Sequence, residues 1–372
     1  MFKCGRLLKI ALISPTCFFF PTLASAQFTP GTDITSALNA ALATQAAVSI
    51  PCGTFFLSGV VNFQQHGQRI QGAARGCTIL KNTLNDAAYR GALTSIGFNA
   101  VTVRSLTIDG DSKGTGFFCV DYEQSSHSAI LDVGCRNALN GGFTYSQTSS
   151  GSTGSPYGRI DGCDMENVSN VNGTNSHPIE LSLSDWLVVT NCTMNNVDNG
   201  VNVAGSNHVA VSNMVINGSG LDNSGFAAVR CADGSSFLAA SNIVAHAVPR
   251  GIFLVGCNQS AFSNITISNT RVEPILVSAT DNPGAPVSAP TQVNSFTGFT
   301  INNGCLKPSG CFAAVVLHVN NVPSNYVANN IFVGGNITGG GGTTSGFWSN
   351  ASPGWNICPT SVNLVALTFG FC

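Results

Sequence analysis

A short pattern, apolar-x-Ser/Asn-Asn-apolar-x-apolar, returns along most of this chain and restricts its fold more than any other feature. It reads LVVTNCTM from Leu187 to Met194, VAVSNMVI from Val209 to Ile216, LAASNIVA from Leu238 to Ala245, AFSNITI from Ala261 to Ile267 and YVANNIFV from Tyr326 to Val333. RIDGCDM (Arg159 to Met165) and VTVRSLTI (Val101 to Ile108) are earlier copies. The residue before the central apolar position is Ser105, Gly134, Gly162, Asn191, Asn213, Asn242, Asn264, Gly298 and Asn330, at steps of 22 to 34 residues. The residue that follows each of these is apolar, from Leu106 to Ile331. Alternation at period 2 marks a strand with one buried face. Recurrence of that strand at 20 to 50 residues marks a solenoid in which equivalent residues stack, with coils about 4.8 Å apart. The coil from Asp132 to Asn137 is expected to fit least, because Asp132 falls near an apolar position.

A second strand precedes the motif in each coil, as in IELSL (Ile179 to Leu183), VNVAG (Val201 to Gly205), AVRCA (Ala228 to Ala232), IFLVG (Ile252 to Gly256), ILVSA (Ile275 to Ala279) and VVLHV (Val315 to Val319). Asn, Gly and Ser fill the corners, which need left-handed backbone. Stacked Asn side chains can hydrogen-bond along the stack, whereas stacked like charges repel. That accounts for a chain only 9% charged, with formal charge −2 and 44% apolar residues. Such a chain has no basic patch for nucleic acid, is too poor in helix formers for a bundle and too apolar for disorder. Cys135, Cys163 and Cys192 fall at one register of this alignment, which reads as a buried stack of thiols or a bridge between two of them.

The ends read differently. Lys3, Arg6 and Lys9, the apolar run Ile10 to Phe20 and Ala24-Ser25-Ala26 form a secretory signal peptide over 1–26. No second long apolar run follows, so a membrane anchor is not expected and the protein is placed outside the cytoplasm, secreted or periplasmic. The Cys residues after the signal then suggest disulfides, with Cys52–Cys77, Cys305–Cys311 and Cys358–Cys372 as candidate pairs. Thr32-Asp33 before Ile34, Ala37, Leu38, Ala41 and Leu42 predicts an N-capped amphipathic helix over the open end of the first coil. The expected organisation is one all-β domain, 27–372: a cap helix in 27–47, about nine to eleven coils of parallel β-helix in 48–333, and a C-terminal cap in 334–372.

The opening segments carry a family resemblance. After the helix, Pro51, Gly53, Thr54 and Phe55 match a "proline-x-glycine-threonine-tyrosine" strand, and Gly72, Ala74, Thr78 and Leu80 match in part a "Gly-x-Gly-x-x-x-Thr-x-Leu" strand. Followed by repeated coils, they resemble the pectate-lyase superfamily, in its polygalacturonase-like branch. The resemblance implies a right-handed β-helix and a polysaccharide substrate, cut by hydrolysis or β-elimination. The branch's Asn-Thr-Asp strand, Asp-Asp pair, Gly-His-Gly turn and Arg-Ile-Lys segment are missing. Thr107-Ile108-Asp109-Gly110-Asp111 echoes the lyases' Trp-Ile-Asp-His strand without its His. No catalytic residue transfers by motif.

Candidate site residues therefore come from the pattern. On the second strand the positions that alternate with buried ones are expected to face solvent, and they include Glu180, Asn202, Arg230 and Phe253 in successive coils. Asp121 and Glu123 lie on the same strand two coils earlier. Glycosidases use two carboxylates, so Glu180, Asp121 and Glu123 are candidate catalytic groups. Lyases need a base, for which Arg230 and Arg250 are candidates, with Ca²⁺ held by Asp109 and Asp111 if the reaction is elimination; a hydrolase needs no cofactor. His177 and Trp186 complete the densest polar cluster around Glu180, with Trp186 as a stacking platform for sugar. A non-catalytic surface or adhesion protein that binds glycans is the alternative.

Overall fold

In a computed structural model the chain winds as a right-handed parallel β-helix. The structure describes residues 28–369 except 86–89, 148–153, 169–176, 221–226, 280–288, 308–310, 312, 320–325, 340–344, 350–355, 358–361 and 366–367. The segment 1–26 and the Cys358–Cys372 pair lie outside the described residues.

An 18-stranded and a 12-stranded sheet face one another across the core, and their pairings are parallel. Val188–Val197, Ala210–Gly218, Ala239–His246 and Ala261–Ser268 are successive strands of the larger sheet. Ile179–Ser182, Val201–Ala204, Val229–Ala232, Ile252–Val255 and Ile275–Ser278 are successive strands of the smaller one. Parallel register turns alternation into columns. Val189, Val211, Ala240, Phe262, Phe296 and Phe332 stack inward, one per coil, all buried. Phe262, Phe296 and Phe332 lie nearly parallel, with ring centres 4.8 and 4.5 Å apart.

The motif residue at each corner has left-handed backbone: Asn191, Asn213, Asn242 and Asn264 have φ between 53° and 57°. Their amides form the expected ladder. Asn264, Asn242 and Asn213 each donate through Nδ2 to Oδ1 of the preceding Asn at 3.2, 3.0 and 3.2 Å, and Asn191 donates to Asp161 at 2.8 Å. A second ladder runs Asn196 to Asn167 to Asn137 and ends on Asp109.

Pairing corrects the sequence register at two places. Leu106 faces Val133 and Ala129 faces Arg159, so the corner residue of that coil is Asp132 (φ 54°), not Gly134. Asp tolerates the left-handed region much as Asn does, so the coil expected to fit least is regular. Likewise Gly334, not Asn330, follows Gly298 in the column. The shift moves Cys135 two positions away from Cys163 and Cys192. Cys163 bridges Cys192 across adjacent coils, and Cys135 bridges Cys119. Cys52–Cys77, Cys305–Cys311 and Cys231–Cys257 are also joined.

The N-terminal helix spans Thr35–Thr44 and buries Leu38, Ala41 and Leu42. Ile34, not Thr32 or Asp33, holds the cap position, but Asp33 Oδ1 still accepts the Thr35 N–H at 2.9 Å. At the other end, parallel pairing continues past 333 through Gly335–Thr338, Val362–Val365 and Thr368–Phe369, so the described part of the expected C-terminal cap prolongs the coils.

Candidate functional site

Register also aligns the outward side chains of the smaller sheet. One column runs Thr94, Asp121, Thr144, Glu180, Asn202, Arg230, Phe253 and Leu276, one residue per coil. Glu180, Asn202, Arg230 and Phe253 are direct neighbours, with Asp121 two coils before Glu180. The expected solvent exposure is not found: Asp121, Asn202, Arg230 and Phe253 are 2%, 4%, 8% and 1% exposed. The outer face is itself covered, and Phe253 joins Ala227, Ala232 and Val255 in a small apolar cluster outside the main core. Glu180 keeps 22% of its side chain exposed.

The column is wired. Arg230 Nη1 donates to Asn202 Oδ1 at 2.9 Å, which turns the NH₂ of that amide toward Glu180. Asn202 Nδ2 then donates to both Glu180 oxygens at 3.0 and 2.9 Å. These bonds and the Arg230 charge favour the carboxylate, but burial outweighs them and pushes the Glu180 carboxyl up to about 7. His177 Nε2 stands 3.7 Å from Glu180, beyond hydrogen-bond reach. Burial, aided by Arg230, pushes the imidazole down to about 3, so His177 is neutral and brings Glu180 no charge.

Arg250 Nε and Nη2 both donate to Glu273 Oε2, at 3.1 and 3.0 Å. Arg230 and Arg250 also lie over the Phe253 ring, 5.7 and 5.1 Å from its centre, in cation–π contact. Sequence reasoning missed Glu273. A signal existed: His177, Arg250 and Glu273 each stand two residues before a strand of the same sheet and so share a flank of the column. At the N-terminal end, burial and the neighbouring Glu123 hold the Asp121 carboxyl well above the usual carboxylate range. Asp121 Oδ1 is buried with no hydrogen-bond partner.

Other candidates lie elsewhere. Trp186 sits at the next corner, in an exposed column of rings: His127, Tyr157, Trp186, His208 and Phe237. His208 lies parallel to its ring with centres 3.9 Å apart, and Tyr157 lies parallel on the other side at 6.4 Å. His208 therefore covers one face of the Trp186 ring, while the side chain as a whole stays exposed. Asp109 accepts from Arg136 Nε at 3.1 Å, Asn137 Nδ2 at 3.0 Å and the Asp111 N–H at 2.9 Å. Asp111 pairs with Lys81 at 2.7 Å and Lys113 at 2.6 Å. The two carboxylates expected to hold Ca²⁺ are thus occupied by the protein's own cations and amides. Among the described residues no group of three or more His, Cys, Asp or Glu could hold a metal ion. No described helix is long and apolar enough to cross a membrane.

No family model and no curated protein sequence matches the chain. Solved structures do match. The family 28 exopolygalacturonase of Yersinia enterocolitica is 11% identical over 90% of this chain and 74% of that one, with a TM-score of 0.64. The hyperthermoactive exopolygalacturonase of Thermotoga maritima is 10% identical over 89% and 86%, with a TM-score of 0.58. A mannuronan C-5 epimerase A-module of Azotobacter vinelandii is 16% identical over 89% and 97%, with a TM-score of 0.54. At these identities the likeness establishes the fold.

Proposed function

We propose that the protein is an exported polysaccharide-degrading enzyme whose glycan lies along the outer column of the smaller sheet. The observation that carries this is Glu180: a part-exposed carboxyl, oriented by an Asn202–Arg230 relay and poised near neutrality. A general acid works best when its pKa lies near the working pH. Glu180 would protonate the leaving glycosidic oxygen. Asp121 and Glu123, two coils away, would supply the second carboxylate. Two coil spacings are about 9.6 Å, close to the roughly 6.5–9.5 Å that inverting hydrolysis needs for its water. Arg230 is engaged with Asn202 and Phe253, which suits a positioning residue better than the base of an elimination. In this reading Ca²⁺ is not required and chelator leaves activity unchanged.

A screen of the purified chain on acidic and neutral polysaccharides tests the proposal. New reducing ends without ultraviolet-absorbing unsaturated products are expected. Unsaturated products would make it a lyase. The burial of Asp121, Arg230 and Phe253 favours a second reading, a non-catalytic glycan-binding β-helix; binding without product from any substrate would establish that one.

A further inference from the structure

Asp121 lies on the strand Phe117–Glu123 of the smaller sheet and is 2% exposed. Its register neighbours in the coils on either side are Thr94 and Thr144, also buried. Threonine satisfies the packing at this level of the column, so packing alone does not require an acid there. Gly91 closes the cover on one side: a Cβ at that position would lie 2.6 Å from the Asp121 Cβ and 2.7 Å from Thr94 Oγ1. Asp121 Oδ1 meets no hydrogen-bond donor, and no ion pair reaches Asp121 or Glu123 among the described residues. A carboxylate enclosed without a cation, and without a donor on that oxygen, is strongly disfavoured, so the group stays neutral by holding a proton.

Glu123 is the partner for that proton. Residues two apart on a strand share a face, so its side chain stands beside that of Asp121 and forms a hydrogen bond with it. The two differ in their access to water: Asp121 is enclosed, whereas Glu123 ends the strand half-buried. Two adjacent carboxyls do not both ionise readily, and the enclosed one keeps the proton. Burial and the Glu123 charge both act on Asp121 in that direction. The register neighbours that flank the pair, Thr94, Thr144, Ile96 and Ser146, are uncharged, so none of them competes for the proton. The Asp121 O–H then donates to Glu123 and orients its carboxylate, which keeps further lone pairs for a water molecule.

We propose that Asp121 is a positioning residue that directs a proton at Glu123, and that Glu123 is the catalytic base opposite Glu180; this rests on the hydrolytic reading of the column. Glu123 would take a proton from water as the water oxygen bonds to the anomeric carbon. The glycosidic C–O bond breaks, its electron pair stays on the leaving oxygen, and that oxygen takes the Glu180 proton. Exchange with solvent then removes the proton from Glu123 and restores the one on Glu180. Two measurements test this. In infrared spectra at neutral pH, the wild-type-minus-variant difference should show the carbonyl band of a protonated carboxyl for Asp121→Asn and not for Glu123→Gln. A difference without that band for Asp121→Asn, or with it for Glu123→Gln, overturns the assignment whether or not a substrate is found. On a polysaccharide that the wild type cleaves, Glu123→Gln should lower kcat by about 10²- to 10⁴-fold. Asp121→Leu should approach that loss, and Asp121→Asn, whose amide still donates, should recover to within about tenfold of wild type. Should Asp121→Leu fail to fold, as judged by circular dichroism, the comparison of Asp121→Asn with Glu123→Gln decides. A larger loss for Asp121→Asn than for Glu123→Gln, or wild-type turnover in Glu123→Gln, overturns the inference and spares the hydrolytic reading. No product from the wild type on any polysaccharide ends that reading and the base role with it, and the infrared band still locates the proton.

Discussion

The two sheets come from one repeat and bury the same kind of column, yet their outer faces diverge. The larger sheet stacks like on like: Asn on Asn, Ser on Ser, Val on Val. The smaller sheet stacks unlike groups, acid, hydroxyl, acid, amide, guanidinium and ring in turn. At about 4.8 Å, identical charges on neighbouring coils would repel, whereas identical amides bond. A uniform column therefore serves the solenoid itself. A mixed column gains nothing from repetition, so its residues answer to another requirement. In this chain the mixed column holds Glu180.

The sharpest way to break that contrast is Glu180→Gln. If the mixed column does chemistry, turnover of any polysaccharide it cleaves falls about 10²- to 10⁴-fold, the usual contribution of a general acid, with glycan binding retained. Unchanged turnover would make the column structural after all. The second effect is on stability. The Glu180 carboxyl rises from 4.5 to about 7 on folding, so the native state binds a proton that the unfolded chain has released across that window. Native stability therefore declines as pH climbs from about 4.5 to about 7, by up to about 3 kcal/mol from this group, and Glu180→Gln removes the decline. Parallel pH profiles for wild type and variant in urea melts would argue against a buried acid here. Next comes the uniform face: Asn213→Ala severs two ladder bonds and puts Ala at φ 54°, for a loss of about 1–2 kcal/mol. The smallest effect is Ser241→Thr, a like-for-like step on the same face, expected within about 0.5 kcal/mol in thermal melts.

The sequence displayed the repeat, the Asn ladder and the membership of the outer column, because each is a matter of local spacing. Ser105 and Gly162 marked their corners, but Gly134 displaced Asp132, since Gly and Asp both suit the left-handed corner and only pairing with Leu106 and Arg159 separates them. The Cys163–Cys192 bridge was obscured by the same two-residue slip. Burial of Arg230 and Phe253 was not legible, because a strand pattern reports which side faces the core and not what covers the other side. Trp186 looked close to Glu180 along the chain, but a corner separates them and turns the ring into a different column. Arg250 with Glu273 needed the register of three strands at once.

The amide ladders have a polarity. In the ladders that run from Asn264 to Asn191 and from Asn196 to Asn137 every Nδ2 donates toward the preceding coil, so each of these two runs can start on a group that accepts and has no N–H to direct outward. Asp161 and Asp109 fill that place, where a further Asn would leave an N–H to be met by water. On the ribosome the acid emerges first. Each later coil then meets an acceptor already set, and the stack can lengthen one corner at a time from its carboxylate origin.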